Sequence, residues 1–368
     1  MIKVPFVNLP LQHNTLKQAL LDSIGELFDS GQYILGPAVE SFEIAFAALC
    51  GSTHTVGVDN GTNALLLSLK SLGIGAGDEV ITAANSFLAS ASCIALVGAR
   101  PVLADVQNDF TIDPEYVESV ITSRTKAIIP VHITGRPAQM DSLMALARKH
   151  GVHVVEDAAQ AVGATYDNKP VGSFGIAGCF SFHPLKILSA VGDGGAITTS
   201  NTELYKKLIK ARNHGLKNRD ECEFWSINAR LDAIQAQILH VKMACLKKWV
   251  ARRRAIADKY GAELGDLVTV PEECEKVQSV YQTYVIMADK RDLLQQKLME
   301  QGIDTKVHYP VPIHLQQPAR PLGYKAGDFP VTESQSTRIL SLPIYPELTD
   351  EQVDLVIRAI KSFYLNEV

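Results

Sequence analysis

Hydrophobic positions along the first two hundred residues follow two alternating periods. Beyond residue 54, short runs that are apolar throughout alternate with stretches of helical spacing. The runs lie at 55–58, 79–83, 101–105, 126–131, 152–157, 177–182 and 195–200. The helical stretches between them lie at 62–72, 86–97, 114–121 and 141–150. Fully apolar strands separated by helices indicate a mostly parallel sheet that is covered on both faces. The pattern therefore predicts a doubly wound α/β domain.

The pattern changes from Arg230 onward. Six apolar residues recur every three or four positions, which predicts one long helix continuing towards Tyr260. These residues are Leu231, Ile234, Ile238, Val241, Cys245 and Trp249. An alternating run at 280–288, a helix around 290–301, a strand into His308 and a capping pattern at Thr349 follow. We therefore predict a large domain over 1–250 and a small α+β domain over 251–368.

Composition narrows the class of protein. With 368 residues, 46% hydrophobic and 20% charged, the chain is typical of a soluble globular enzyme and unlike collagen, coiled coils or disordered chains. The net charge of −5 offers no general attraction for nucleic acid or for an anionic membrane. No apolar run is long enough for a membrane span, and the start lacks the apolar run of a signal peptide. The six cysteines form no CxxC pair, so we expect reduced thiols in a cytoplasmic protein.

Lys186 is the first candidate for chemistry. Most lysines are surface cations, but Lys186 stands in the apolar run 185–188, between a predicted strand and the turn 192–195. Desolvation favours the neutral amine, which attacks carbonyl groups. These neighbours predict a lysine that forms a Schiff base.

Asp157 and Gln160 lie at the carboxyl end of a predicted strand, the edge at which open α/β sheets bind ligands. Asp157 could instead cap the following helix. Beside a Schiff-base lysine, however, a carboxylate can keep a pyridine nitrogen protonated. Gln160 could then hydrogen-bond a hydroxyl group on the same ring.

A phosphate site is predicted where a strand meets the helix that begins at Gly61. Backbone N–H groups at a helix start bind phosphate, and glycine allows close approach. Thr62 or Asn63 could simply cap the helix, and Ser181 could add a hydroxyl group to the same phosphate. The glycine-rich run 73–78 follows a helix and precedes a strand, which is the wrong order for a dinucleotide loop. We interpret it as a helix end and turn.

Two further groups are weaker candidates. The basic residues at 247–248 and 252–254 lie on the long predicted helix with few aromatic neighbours, so a solvated face or subunit rim is favoured over nucleic-acid binding. His308, Tyr309 and His314 lack nearby carboxylates or cysteines at ligand spacing. They predict a polar substrate wall and no metal site.

The ordered motifs of the chain resemble one family. NGTNAL, GDEVIT, KAIIPVHITGRP, VVEDAAQAVGA, FSFHPLKIL, GDGGAI, NHG and NARLDAIQAQIL are similar to the sugar aminotransferases. These are pyridoxal-phosphate enzymes of fold type I that act on nucleotide-linked keto sugars. The resemblance runs from about residue 5 to the C-terminus, and it includes 306–316 and 341–353.

This resemblance implies a role for each candidate. Lys186 would hold the cofactor and shuttle protons, Asp157 would pair with the pyridine nitrogen, and Gln160 would contact the ring hydroxyl. The phosphate would be held by Gly61, Thr62, Asn63 and Ser181. Phe87 would stack on the ring. Asn228 would reach the phosphate of the other subunit, which implies a homodimer with shared active sites.

The implied reaction moves an amino group from an amino acid, glutamate being the expected donor, to a nucleotide-linked keto-deoxy sugar at carbon 3 or 4. His308, Tyr309, His314 and Arg230 are the substrate candidates, with Arg230 near a pyrophosphate. Ile187 and Thr134 depart from common family members, which leaves a free keto sugar or keto acid as an alternative acceptor. Sugar dehydratases of the family carry histidine in place of the lysine, so Lys186 argues against them. A regulator would need a DNA-binding segment or a lost lysine, and the sequence has neither.

Overall fold

The computed structural model describes residues 2–365, in which the largest sheet has seven strands. Its strands, in chain order, are β1 (His54–Val58), β2 (Glu79–Ala83), β3 (Arg100–Ala104), β4 (Thr125–Ile129), β5 (His153–Asp157), β8 (Ala177–Ser181) and β9 (Gly195–Thr199). The spatial order is β1-β9-β8-β5-β4-β2-β3. Only β9 runs antiparallel to its neighbours. The predicted mostly parallel sheet is confirmed, and each strand begins within one residue of its predicted start.

Helices cover this sheet and leave its carboxyl edge open. They are α1 (Leu9–Asn14), α2 (Lys17–Ser30), α3 (Pro37–Cys50), α4 (Gly61–Ser71), α5 (Ala89–Leu96), α6 (Pro114–Val120), α7 (Met140–His150), α8 (Thr202–Ala211) and α9 (Ala233–Met243). Two short strands, β6 (Thr165–Tyr166) and β7 (Lys169–Pro170), pair beside them with β10 (Val277–Gln278). Buried aliphatic and aromatic side chains pack between the sheet and helices. The apolar strands therefore lie in the core, as their composition predicts.

The remaining elements surround a second core. They are α10 (Leu246–Leu264), β11 (Tyr284–Met287), α11 (Arg291–Glu300), α12 (Pro330–Arg338), β12 (Ile339–Leu342) and α13 (Asp350–Leu365). Val4, near the N-terminus, belongs to the same buried cluster as Tyr260 and Ile360. α10 runs through the predicted boundary at residue 250, and the division at that residue stays a prediction.

The prediction of one long helix is wrong. α9 ends at Met243 and α10 begins at Leu246. The N–H of Cys245 bonds to the carbonyl of Lys242, a tighter bond than the α-helical one. Ala244 and Cys245 keep right-handed helical backbone angles, so the apolar stripe continues across the break. The spacing of apolar residues therefore gives no sign that one helix ends and another begins. The predicted strand into His308 is also not formed; a single bridge at Lys306 stands in that segment.

The capping pattern at Thr349 forms as predicted. The Thr349 hydroxyl accepts from the Gln352 N–H at 3.2 Å, and the Gln352 side chain accepts from the Thr349 N–H at 3.2 Å. This reciprocal pair satisfies two backbone donors at the start of α13.

Candidate active site

A cavity of about 440 Å³ opens at the carboxyl edge of the large sheet and is also lined by side chains between Arg253 and Ile344. Seven of the predicted cofactor residues line it: Gly61, Thr62, Phe87, Asp157, Gln160, Ser181 and Lys186. Two of the predicted substrate residues, His308 and Tyr309, line it as well. Residues from 6 to 344 in the sequence therefore meet around one space.

Lys186 lies in the loop that follows β8. Gln282 holds this loop, because its side chain accepts from the Ile187 N–H at 3.0 Å and donates to the Leu185 carbonyl at 2.8 Å. Burial lowers the pKa of Lys186 to about 8, against the opposing attraction of Asp157. Within residues 2–365, no side chain accepts a hydrogen bond from its amine. The amine therefore faces the cavity with a substantial neutral fraction near pH 8.

Asp157 ends β5 and is buried. One carboxylate oxygen accepts from the Ser90 hydroxyl at 2.7 Å, and the other accepts from the Ala159 N–H at 3.2 Å. Ser90 in turn lies 2.8 Å from the Ser86 hydroxyl. Burial raises the pKa of Asp157, partly offset by the Ser90 bond. A buried carboxylate without an ion pair in the described chain is suited to a cationic ligand.

The walls on either side of Asp157 carry the ring-facing candidates. The Gln160 side-chain oxygen accepts from the Thr134 N–H at 2.8 Å. The exposed ring of Phe87 lies 5.6 Å from that of Tyr309. Burial raises the pKa of the Tyr309 hydroxyl to about 12 and lowers that of His308 to about 4. Both side chains are therefore neutral at physiological pH.

The start of α4 forms the other end of the cavity. Asn60 is its capping residue, and its side chain accepts from the Asn63 N–H at 2.8 Å. The capping roles suggested for Thr62 and Asn63 are therefore wrong. A side chain at Gly61 would place a Cβ 2.8 Å from the Cβ of Ser181, so only glycine lets this helix start approach β8.

Four predicted residues lie elsewhere. Asn63 does not line the cavity, and its amide donates to Asp59 at 2.9 Å. His314 is buried against Phe329 and lies 3.0 Å from Glu333. Asn228 is exposed and pairs through its backbone with Asn213. Arg230 donates to the Asn213 side chain at 2.9 Å, also outside the cavity of its own chain.

Several residues of the site were not predicted from the sequence. Asn60, Asp193 and Gln282 line the cavity, and Ser90 supports Asp157 from behind. Arg253 also lines it, although its basic run was interpreted as a solvated face or rim. The apolar spacing of α10 gave one usable signal, since Arg253 falls four residues after buried Trp249.

Residues 2–365 contain neither a cluster of metal ligands nor a membrane-spanning helix. No group of three or more histidine, cysteine or acidic side chains is placed to hold a metal ion. No helix among these residues has the length and apolarity that crossing a membrane requires.

Comparisons with known proteins place this site in a family. The sequence profile of the DegT/DnrJ/EryC1/StrS aminotransferase family matches residues 14–361. The chain belongs to this family, and the expected class of enzyme, a transaminase of the fold-type I architecture, is confirmed.

Individual relatives match over nearly their whole length. The chain is 44% identical to a "Pleiotropic regulatory protein" of Geobacillus stearothermophilus, covering 99% of both chains. It is 41% identical to the dTDP-3-amino-3,4,6-trideoxy-α-D-glucose transaminase of Streptomyces venezuelae, over 98% of this chain and 96% of the relative. The crystal structure of S. venezuelae DesV in complex with a ketimine intermediate superposes with a TM-score of 0.96 at 40% identity, covering 99% of each chain.

Proposed function

We propose that this pyridoxal-phosphate aminotransferase moves an amino group from an amino acid, L-glutamate, to a nucleotide-linked keto-deoxy sugar in amino-sugar biosynthesis. One observation carries the proposal. Lys186, Asp157 and the α4 start at Gly61 line a single cavity of about 440 Å³. An amine, a buried carboxylate and a phosphate-binding helix start are the donor set that this cofactor requires.

The side chains present fit the cofactor. Asp157 would hold the pyridine nitrogen, Gln160 the ring hydroxyl, and Phe87 a ring face. Thr62, Ser181 and the N–H groups at the start of α4 would hold the phosphate, since the first turn of a helix has free N–H donors. When bound, pyridoxal phosphate supplies an electron sink for carbanions.

The chain itself supplies positioning and proton transfer. Desolvated Lys186 can take a proton at Nζ and return it to a neighbouring carbon, which its lowered pKa makes feasible near pH 8. Ser90 keeps the Asp157 carboxylate oriented toward the cavity. Gln282 fixes the backbone on both sides of Lys186, so that the amine returns to the same position after each transfer.

A non-catalytic regulator is the second candidate, favoured by the name of the Geobacillus relative. Such a function would not require the reactive lysine. Lys186 remains in the cavity with its pKa lowered by burial, and this supports the enzyme. The sugar dehydratases of the family replace this lysine by histidine and are disfavoured for the same reason.

The acceptor is proposed to be a thymidine- or uridine-diphosphate keto-deoxyhexose aminated at carbon 3 or 4. The name of the Streptomyces relative supports a nucleotide sugar and carbon 3. His308 and Tyr309 form a polar wall that can bond sugar hydroxyls.

We expect kcat/KM for a true nucleotide sugar to exceed that for the matching free sugar by orders of magnitude, because a wrong ligand leaves buried polar groups unpaired. The measurement uses glutamate as donor and both acceptors in parallel. Equal efficiency would refute the nucleotide sugar and leave a free keto sugar or keto acid as acceptor.

A homodimer with shared sites is part of the proposal. Asn228 is exposed, and the side chains of Trp225 and Ile227 just before it in the chain are exposed and apolar, as expected of a surface that meets a partner subunit. We place the protein in the cytoplasm, where the free thiols of buried Cys50 and Cys93 stay reduced.

Subunit exchange tests the shared site. Mixing inactive Lys186→Ala chains with cofactor-weak Asn228→Ala chains should regenerate activity, since one of the two mixed sites is intact. Exchange without any recovered activity would rule the shared site out.

A further inference from the structure

Arg253 differs from the basic residues beside it on α10. Arg252 pairs with Asp350 at 2.8 Å and Arg254 with Glu273 at 2.6 Å, both partly exposed. Arg253 is only 5% exposed, and it lines the cavity of the candidate active site. Of the three arginines in this basic run, Arg253 is therefore the one that can contact a ligand in the cavity.

The guanidinium group of Arg253 is only partly satisfied. One terminal nitrogen, Nη1, donates to the carbonyls of Tyr281 at 3.0 Å and Ile344 at 2.8 Å. Nε is buried without an acceptor, and Nη2 has no acceptor among residues 2–365. No carboxylate oxygen in that range lies within 4.0 Å of the Arg253 nitrogens. The carboxylate of half-buried Glu347 attracts the guanidinium group only from a longer distance. Burying a cation without an anion is costly, so a bound anion would relieve a real deficit.

The position of Arg253 relates it to Lys186. Arg253 Nη1 lies 3.5 Å from the carbonyl of Gln282, whose side chain holds the backbone on both sides of Lys186. An anion on Arg253 is thus held on the lysine side of the cavity. In an α-amino acid the carboxylate is attached to the carbon that carries the amine. An Arg253 that holds the carboxylate therefore brings the amine toward Lys186.

The charge of the cavity favours a carboxylate over a diphosphate. Lys186 and Arg253 are its only lysine or arginine lining residues in the described chain. A diphosphate carries more charge and is usually bound by several cations or N–H groups, whereas one planar guanidinium suits one carboxylate.

We propose that Arg253 binds a carboxylate of the amino-acid donor, with Nη2 donating to it. This inference rests on the proposed aminotransferase function and assigns its donor subsite. Arg253 should therefore matter for the half-reaction with the amino-acid donor and not for the half-reaction with the keto sugar, since the keto sugar brings no carboxylate to this position.

The two half-reactions test this assignment in the cofactor-loaded enzyme. The donor half is followed by the absorbance change on adding L-glutamate, and the acceptor half by the reverse change when a nucleotide keto sugar is added to the aminated enzyme. Arg253→Met should weaken the apparent affinity for glutamate about 100-fold, as expected for loss of a buried charge partner. Its acceptor half should change less than threefold. Arg253→Lys, which keeps the charge, should fall between, and Arg252→Gln should match the wild type in both halves.

Equal losses in both halves would show that Arg253 only braces the fold, and would overturn the proposal. An unchanged affinity for glutamate would overturn it as well. If Arg253→Met fails to fold, Arg253→Lys decides by the same comparison.

A binding measurement separates this inference from the proposed function. Calorimetric titration with glutarate, a dicarboxylate that cannot donate an amine, should detect binding to the wild type and to Arg252→Gln. Binding should be lost in Arg253→Met. If the wild type transfers no amine to any keto sugar but still binds glutarate through Arg253, the anion site stands while the proposed function fails. If glutarate binds Arg253→Met as well as the wild type, the site is wrong whatever the activity.

Discussion

Lys186 and Lys242 occupy two regions of the molecule, the wall of the cavity and the last turn of α9, and burial lowers the pKa of both to about 8. Lys242 is fully buried, and its amine donates to the Ser189 carbonyl at 2.8 Å and lies 3.0 Å from His13. The Lys186 amine has no acceptor in the described chain and faces the cavity. A shifted pKa therefore does not identify a reactive lysine by itself; open access to a ligand does.

The two lysines are also connected through one loop. Ser189 follows Lys186 by three residues, so Lys242 holds the far end of the segment that carries the Lys186 amine. We interpret Lys242 as a positioning residue that acts through the backbone. We therefore expect the lowered pKa to matter for chemistry at Lys186 and for structure at Lys242.

Substitutions of Lys186 and Lys242 should differ most in their effect on kcat. Lys186→Ala should lower kcat by about 10⁴-fold or more, the scale seen when a nucleophile is removed. Lys242→Met should cost at most about 100-fold, the scale of a small misplacement of a catalytic group. Steady-state kinetics on both variants check this, with thermal midpoints to show that each is folded. A Lys186→Ala enzyme with near wild-type kcat would contradict the distinction.

Both lysines should also make the stability of the folded protein depend on pH, which is a smaller effect. Their pKa in the cofactor-free folded protein is lowered to about 8 from the ordinary value of 10.5. Between these values the unfolded chain binds more protons than the folded one, so each lysine makes stability rise with pH from about 8 to 10.5 and imposes its full cost below 8. The rise is at most about 3.5 kcal/mol for each lysine, at about 1.4 kcal/mol per pH unit.

Urea unfolding of the cofactor-free protein at pH 8 and pH 10 measures this rise. Lys186→Met and Lys242→Met should each show a smaller increase than the wild type. Parallel behaviour of the wild type and Lys242→Met would mean that the buried amine is not desolvated as the geometry indicates.

The proposed cofactor end of the site was predictable because its residues lie in short segments with strong local signals. Asp157 ends an apolar strand, Lys186 follows another, and Gly61 opens a helix after a third. Parallel strands bring their carboxyl ends to one edge, so three local signals place three groups together without knowledge of long-range contacts.

The rest depended on contacts between distant segments. Ser90 and Asp157 lie 67 residues apart, and nothing near either of them indicates the bond. His308 and His314 look alike in the sequence, yet His308 lines the cavity while His314 is buried against Phe329. Arg253 is hidden in a basic run whose neighbours do lie on the surface.

The central claim is that Lys186, and not the equally perturbed Lys242, carries the cofactor. Pyridoxal phosphate added to the purified protein should give a yellow complex, and borohydride should fix the cofactor irreversibly on one lysine. Peptide mapping by mass spectrometry then identifies that lysine. We expect the label on the peptide that contains Lys186, with Lys242 unmodified. Label on Lys242 or on any other lysine, with Lys186 unmodified, would contradict it.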